Sequence, residues 1–329
     1  MANYKEIHGV KVQYRDSDAT AVEGDVWYNA STGLLKMYGS AVSWASGGNL
    51  NTARAHGASS VQGTQTASIF FGGYPPSPSR LAITEEYDGS SWTEVGDMNT
   101  GRANMGGAGT TTAALCFTGN TSPSPGHTAV SEEWNGTSWT AGNNLQAARR
   151  EVGAAGIQTA ALLIGGNYAP SARNVNVEYY DGTNWTEGAN LNAAKSNLGA
   201  AGVDASAISF GGTAGGSPYA ITTAEQWDGS SWSEVGDLNT GRTNMGGAGA
   251  NGTAALAIGG DVDPATAVCE SWDGSSWTEV ADLNTATRGI TGQGTSVLAM
   301  TQGGDIPAPA HAITQEWSFS ASIETVAFD

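Results

Sequence analysis

One slot of this chain is basic again and again: Arg54, Arg102, Arg149, Lys195 and Arg242, with Arg288 one position late. Six cations converging on one axial opening would make a site for an anion or an acidic glycan. The competing reading pairs each with a carboxylate such as Asp97, Asp237 or Asp282, or stacks it on an aromatic ring. A slot filled this regularly favours that structural contact. Three histidines, His56, His127 and His311, could meet if the chain closes on itself. Their spacing follows no metal-ligand pattern, so no metal is expected. Cys116 and Cys269 are too few for a disulfide scaffold or a cysteine zinc site, and no cofactor is expected. No glycine-rich phosphate loop stands between a strand and a helix, which argues against a nucleotide site.

The elements that must position these residues are repeats. Trp44, Trp92, Trp139, Trp185, Trp232 and Trp277 recur at spacings of 48, 47, 46, 47 and 45 residues. Five residues before five of them stands another aromatic: Tyr87, Trp134, Tyr180, Trp227 and Trp272. Trp317 opens a sixth unit with no tryptophan after it. Each unit reads as four short strands. The first is rich in small residues, as in "RANMGGAG". The second is an apolar run ending in glycine, as in "AALLIGG", too short for a helix. The third carries Tyr or Trp, and the fourth begins at the regular Trp after "YDGSSW" or "WNGTSW". Asp-Gly and Asn-Gly suit the positive φ of a hairpin turn, so the last two strands are predicted to pair antiparallel. Four antiparallel strands per 45 to 48 residues is the pattern of a β-propeller blade, with crowded small residues at the axis and aromatics wedging blades apart.

These residues resemble the kelch repeat: a Gly-Gly pair (72/73, 165/166, 211/212, 259/260, 303/304), an aromatic 12 to 15 residues later, then the regular Trp. The second repeat departs from it with Thr118-Gly119. More narrowly, the repeats behind an N-terminal "GDVWYNASTGLLKMY" are similar to the kelch-like virion proteins of marine tailed bacteriophages. The resemblance implies an all-β, six-bladed kelch-like propeller over residues 34–329, with blades beginning near 54, 102, 149, 195, 242 and 288. Residues 34–53 would supply the closing strand, completing the last blade through Trp44. The alternative is that 318–329 supplies that strand. Residues 1–33 would form a docking arm or hairpin. In such a ring Cys116 and Cys269 lie on opposite sides, beyond the ~7 Å that a bridge allows.

Glycan-hydrolase and oxidase readings fare poorly. "YDGSSW" is similar to the Asp-box of sialidases, but here Asp and Gly are adjacent rather than separated. A copper oxidase needs a histidine and tyrosine ligand set that four histidines do not obviously provide. The expectation is therefore that the protein is not an enzyme.

With 31 acidic against 13 basic residues the formal charge is -18, which repels phosphate backbones and anionic lipid heads. No nucleic-acid partner and no membrane insertion are expected. The first residues lack a secretory core, so the product is expected to be made in the host cytoplasm and to end in the virion. The loops between second and third strands differ in every unit and present Tyr74, Arg80, His127, Tyr168, Arg173, Tyr219 and His311. Loops on a rigid scaffold commonly carry recognition. The resemblance implies a tail fibre, tail tip or surface decoration, displaying those loops to a host-surface glycan or protein. Its other partners would be virion proteins held through the N-terminal segment, and a homo-oligomer is compatible with this. A non-viral glycan- or protein-binding module is the alternative.

Overall fold

The computed structural model describes residues 13–17, 25–76, 79–121, 126–168, 172–215, 219–306 and 309–325. Chain contacts divide the protein into Trp44–Trp317 and a smaller unit of Met1–Ser43 with Ser318–Asp329. Among the described residues there are strands and no helix long and apolar enough to cross a membrane.

In Trp44–Trp317 the second and third strands pair as the apolar runs and aromatics predict. Blade 1 is Ala58–Ser59, Ser68–Phe71, Thr84–Tyr87 and Trp92–Glu94. Blade 2 is Gly106–Thr110, Ala113–Phe117, Ser131–Trp134 and Trp139–Ala141. Blades 3, 4 and 5 begin with inner strands Gly153–Ile157, Gly199–Val203 and Gly246–Asn251 and repeat the order. The sixth sheet starts at Thr291–Gly294 and Leu298–Gln302, and then sets Leu34–Ser46 beside Thr314–Thr325. Within it, Gly47 N donates to Thr314 O at 3.0 Å and Leu50 N to Ala312 O at 2.9 Å. Each inner strand packs on the next, and the sixth packs on the first. The strand beside Thr314–Thr325 in this sheet is thus Leu34–Ser46, from the N-terminal side of the chain.

Inner strands carry little bulk because they meet backbone to backbone. A Cβ on Gly247 would lie 2.2 Å from Ala200 O in the preceding blade, a distance no side chain tolerates. The apolar core lies between blades. Trp139 of blade 2 sits edge-on to Phe71 of blade 1 at 4.9 Å, and its Nε1 donates to Thr84 Oγ1 at 2.9 Å. Phe117 with Trp185, and Phe210 with Trp277, repeat the contact at 4.9 Å. Such pairs add about 0.5–1.5 kcal/mol beyond the area they bury.

The outer hairpin turns span four residues, and only the glycine takes positive φ: +93° at Gly89, +94° at Gly229 and +95° at Gly274. The aspartate instead caps the turn, Asp273 Oδ1 accepting N–H bonds from Ser275 and Ser276 at 2.8 Å each. Hydrogen bonds from these serines hold the Asp273 carboxyl near pKa 2, as at Asp88 and Asp228. A lowered carboxyl pKa stabilises the fold above the ordinary value near 3.8 and ceases to do so as pH falls through about 2. In a carbon-detected NMR titration these three carboxyls are expected to titrate well below the ordinary aspartate value near 3.8. Ordinary midpoints would refute the capping role.

In the smaller unit, Gln13–Arg15 pairs parallel with Val26–Asn29, which turns through Gly33 (φ +72°) into an antiparallel partner starting at Leu34. Asn29 Oδ1 accepts the N–H of Ser31 and of Thr32 at 3.0 Å, so "NASTG" is a side-chain-capped turn. Arg15 pairs with Asp25 at 2.7 Å. The sequence reading puts a boundary at 33/34, whereas contacts divide the chain at 43/44. Residues 1–12 and 18–24 of the expected arm, with Lys5 and Lys11, lie outside the described residues.

Candidate functional site at the loop face

The basic slot is not an anion site. Arg54, Arg102, Arg149, Lys195 and Arg242 are all 0 % exposed. Each pairs with a glutamate on the third strand of its own blade: Glu85, Glu132, Glu178, Glu225 and Glu270. Arg242 shows the pattern. Its Nη2 donates to Glu270 Oε1 at 2.8 Å and its Nη1 to Gly259 O at 2.9 Å. Glu270 Oε2 accepts from Asn239 N and Nδ2 at 2.7 and 2.9 Å, and Asn239 Nδ2 also donates to Trp277 O at 3.0 Å. One ion pair thereby ties the incoming linker to the second, third and fourth strands. Burial lowers the pKa of Arg54, Lys195 and Arg242, and the glutamate opposes it. The expected partners Asp97, Asp237 and Asp282 are replaced by glutamates because register, not sequence proximity, selects what faces the slot. In blade 6 both partners change together: Thr287 fills the slot and Gln315 stands where the glutamate would be, still accepting from Asn284 N at 2.8 Å. Arg288 lies outside the slot, between Asp261 at 2.6 Å and Asp305 at 2.9 Å.

Two residues beyond each slot the backbone forms a closed circuit. His56 N donates to Gly289 O at 2.7 Å, Asn104 N to His56 O at 2.9 Å, Glu151 N to Asn104 O at 2.9 Å, Asn197 N to Glu151 O at 2.8 Å, Asn244 N to Asn197 O at 3.0 Å and Gly289 N to Asn244 O at 2.8 Å. All six residues hold φ between +53° and +64°. Non-glycine residues adopt this region at a cost, and Asn tolerates it best, which accounts for three of the six being asparagine. These residues and the inner strands line an axial cavity of about 110 Å³.

Around this mouth the residue after each Gly-Gly or Thr-Gly pair varies among four types: Tyr74, Asn120 and Asn167, Thr213, and Asp261 and Asp305. Each is fixed by a two-way bridge to the residue after the slot, for example Ala55 with Tyr74 and Arg150 with Asn167. His56 meets the Tyr74 ring edge-on at 5.9 Å, and burial lowers its pKa, so it is neutral at neutral pH. Asn104 Nδ2 donates to the Tyr74 hydroxyl at 3.2 Å. Glu151 Oε2 accepts from Asn167 Nδ2 at 3.2 Å and Asn197 Nδ2 at 3.3 Å.

The sequence-predicted loop residues divide in two. Arg80 lies over the Tyr74 ring at 4.8 Å and donates to its hydroxyl at 3.3 Å, so these two form one unit. His127 bridges Asn120, and both of its ring nitrogens are buried with no hydrogen-bond partner. Arg173 pairs across a short hairpin with Asn167 and reaches Gly215 of the next blade, where a Cβ would lie 2.4 Å from its Nη1. The other three stand apart. Tyr168 packs its ring 5.6 Å from buried Arg149. His311 accepts from Ile313 N at 3.3 Å and lies 3.4 Å from Thr287 Oγ1, a structural position in blade 6. Tyr219 is 56 % exposed. Sequence reading missed Asn104, Arg150, Glu151, Asn167, Asn197 and Asn244. The signal was a fixed offset: two residues after the basic slot, an asparagine recurs.

Among the described residues no group of three His, Cys, Asp or Glu side chains is arranged to hold a metal. Cys116 and Cys269 are buried free thiols.

No protein-family model matches the chain, and no curated protein matches it. Among solved structures it is similar to that of YjhT, with a TM-score of 0.67 and 10 % identity, covering 84 % of this chain and 99 % of that one. At that identity the likeness establishes a fold, the β-propeller. It also overturns the expectation that the protein is not an enzyme. That expectation rested on the imperfect Asp-box and the incomplete copper-ligand set, and the fold shared with YjhT is one that carries enzyme active sites as readily as binding surfaces.

Proposed function

We propose that the protein is a virion-borne recognition propeller that reads a host surface with its loop face. The observation that carries this reading is where the repeats disagree. Outer hairpins and buried ion pairs recur almost unchanged, whereas the bridged positions vary around one rigid rim, with tyrosine at 74, asparagine at 120 and 167, threonine at 213 and aspartate at 261 and 305, and the loops that follow them differ in every blade. A fixed backbone with varied side chains is how binding surfaces are built on scaffolds. The similarity of "GDVWYNASTGLLKMY" and the repeats to kelch-like virion proteins of tailed phages supports the setting. In that setting the N-terminal segment is the docking element towards other virion proteins, and the propeller faces a host glycan or protein.

Mass spectrometry of purified virions is expected to find the chain as a structural component. Replacing Tyr74, Arg80 and Arg173 together by Ala is expected to lower adsorption to host cells by at least roughly tenfold, the loss of one or two anchor contacts. Absence from virions would remove the setting. Unchanged adsorption by a folded variant would remove the recognition role.

A further inference from the structure

The cationic side chains of Trp44–Trp317 are of three kinds. Five are buried on glutamates, and Arg288 is held between two aspartates. Arg80, Arg150 and Arg173 are half-buried, and all three lie on the loop face of blades 1 to 3. The carboxylates of the bridged rim positions, Asp261 and Asp305, lie on blades 5 and 6. In a chain of formal charge -18 this segregation leaves one arc of one face basic.

That arc is also a continuous row. Bridges join Asn120 to His127, Thr128 to Arg149, Arg150 to Asn167, and Asn167 to Arg173. Thr128 opposite Arg149 sets His127 opposite Arg150. Neighbouring strands stand ~4.8 Å apart, so the four steps from Asn120 to Arg173 run about 19 Å, longer than one sugar ring. Arg80 and Tyr74 extend the row, the Tyr74 hydroxyl lying 3.3 Å from the Asn120 amide. Along the row, buried polar atoms lack hydrogen-bond partners: both ring nitrogens of His127, Asn167 Oδ1 and Arg173 Nε. A neutral imidazole offers one donor and one acceptor, Asn167 Oδ1 adds an acceptor and Arg173 Nε a donor, which together complement hydroxyls that donate and accept. Guanidinium groups add planar paired donors for a carboxylate or sulfate. Within the row Glu151 pairs with Arg150 Nε at 3.1 Å.

We propose that this arc, from Tyr74 and Arg80 through Asn120, His127 and Arg150 to Arg173, binds an anionic polysaccharide whose sugars carry carboxylate or sulfate groups. The inference rests on the recognition reading of the loop face and names its ligand class.

The test uses the whole protein in affinity electrophoresis and calorimetry against polygalacturonate, dextran sulfate, neutral dextran and poly-glutamate. Polygalacturonate or dextran sulfate is expected to bind, and which of them binds tighter separates carboxylate from sulfate recognition. Binding is expected to weaken as salt rises. Arg150→Gln and Arg173→Gln should each weaken it by roughly tenfold, with the thermal midpoint showing that each variant folds. Binding that is absent, unchanged in both folded variants, matched by neutral dextran, or matched by poly-glutamate would overturn the proposal. If the loop variants lose host adsorption while no anionic glycan binds or competes, the recognition reading stands and the ligand class falls. Arginine-dependent glycan binding without any effect on adsorption would do the reverse.

Discussion

Glu270→Gln is expected to destabilise the propeller by about 3–5 kcal/mol, because it strips the charge partner from a guanidinium that has no access to water. The protein itself contains the remedy. Blade 6 fills the same two positions with Thr287 and Gln315 and keeps the linker bond from Asn284. The double variant Arg242→Thr with Glu270→Gln is therefore expected to recover most of the loss, since a neutral hydrogen-bonded pair needs no compensation for a desolvated charge. Urea unfolding of the wild type, both single variants and the double variant measures this as a double-mutant cycle. A double variant as unstable as the sum of its singles would show that the two positions are not coupled, and the structural reading of the basic slot would fail.

Trp44→Ala is expected to be as damaging to stability and worse for solution behaviour. The Trp44 ring packs on Trp317 at 5.4 Å, its Nε1 donates to Ala281 O at 3.1 Å, and its carbonyl accepts from Asn284 Nδ2 at 3.0 Å. Truncating a buried tryptophan costs about 3–5 kcal/mol. Trp139→Ala removes an equivalent ring from blade 2, but there the outer strand follows its neighbour through a four-residue turn and stays beside it. Residues 44–46 have no such tether to 314–317, so their release leaves an open sheet edge. Sedimentation is expected to show self-association of Trp44→Ala, increasing with concentration, and a monodisperse Trp139→Ala of similar stability. Identical sedimentation of the two would mean that Trp44 does not latch the ring.

The sequence made the propeller legible through its tryptophans, since a period of 45 to 48 residues with glycine-bounded apolar runs leaves few other architectures. Trp44 keeps that spacing, and its strand, Leu34–Ser46, lies beside Thr314–Thr325 in the sixth sheet. What failed was anything that depended on which side chains face each other. The glutamates of "EEY", "EEW", "EYY", "EQW" and "ESW" sit 28 to 31 residues from their cations, beyond any local pairing rule. The replacement of Glu by Gln315 in the one blade that lacks the basic residue was the available clue. The mouth was harder still. Its geometry arises from backbone bonds between blades, which leave no mark on composition beyond a preference for asparagine at positive φ. Pairing the loop residues, as with Arg80 over Tyr74, likewise requires the fold, and His311 reads as a contact residue until Thr287 is seen beside it.

The circuit of six backbone bonds separates two evolutionary problems that most binding sites must solve together. Because main-chain bonds hold the ring, its side chains can vary within what positive φ tolerates without moving the frame. The freedom is uneven: Glu151 and Asn197, bonded at 3.3 Å, change as a pair, and Gly289 is held to glycine because a Cβ there would lie 2.8 Å from His56 Nε2. The frame is inherited whole, and variation is confined to the few side chains that it leaves unconstrained.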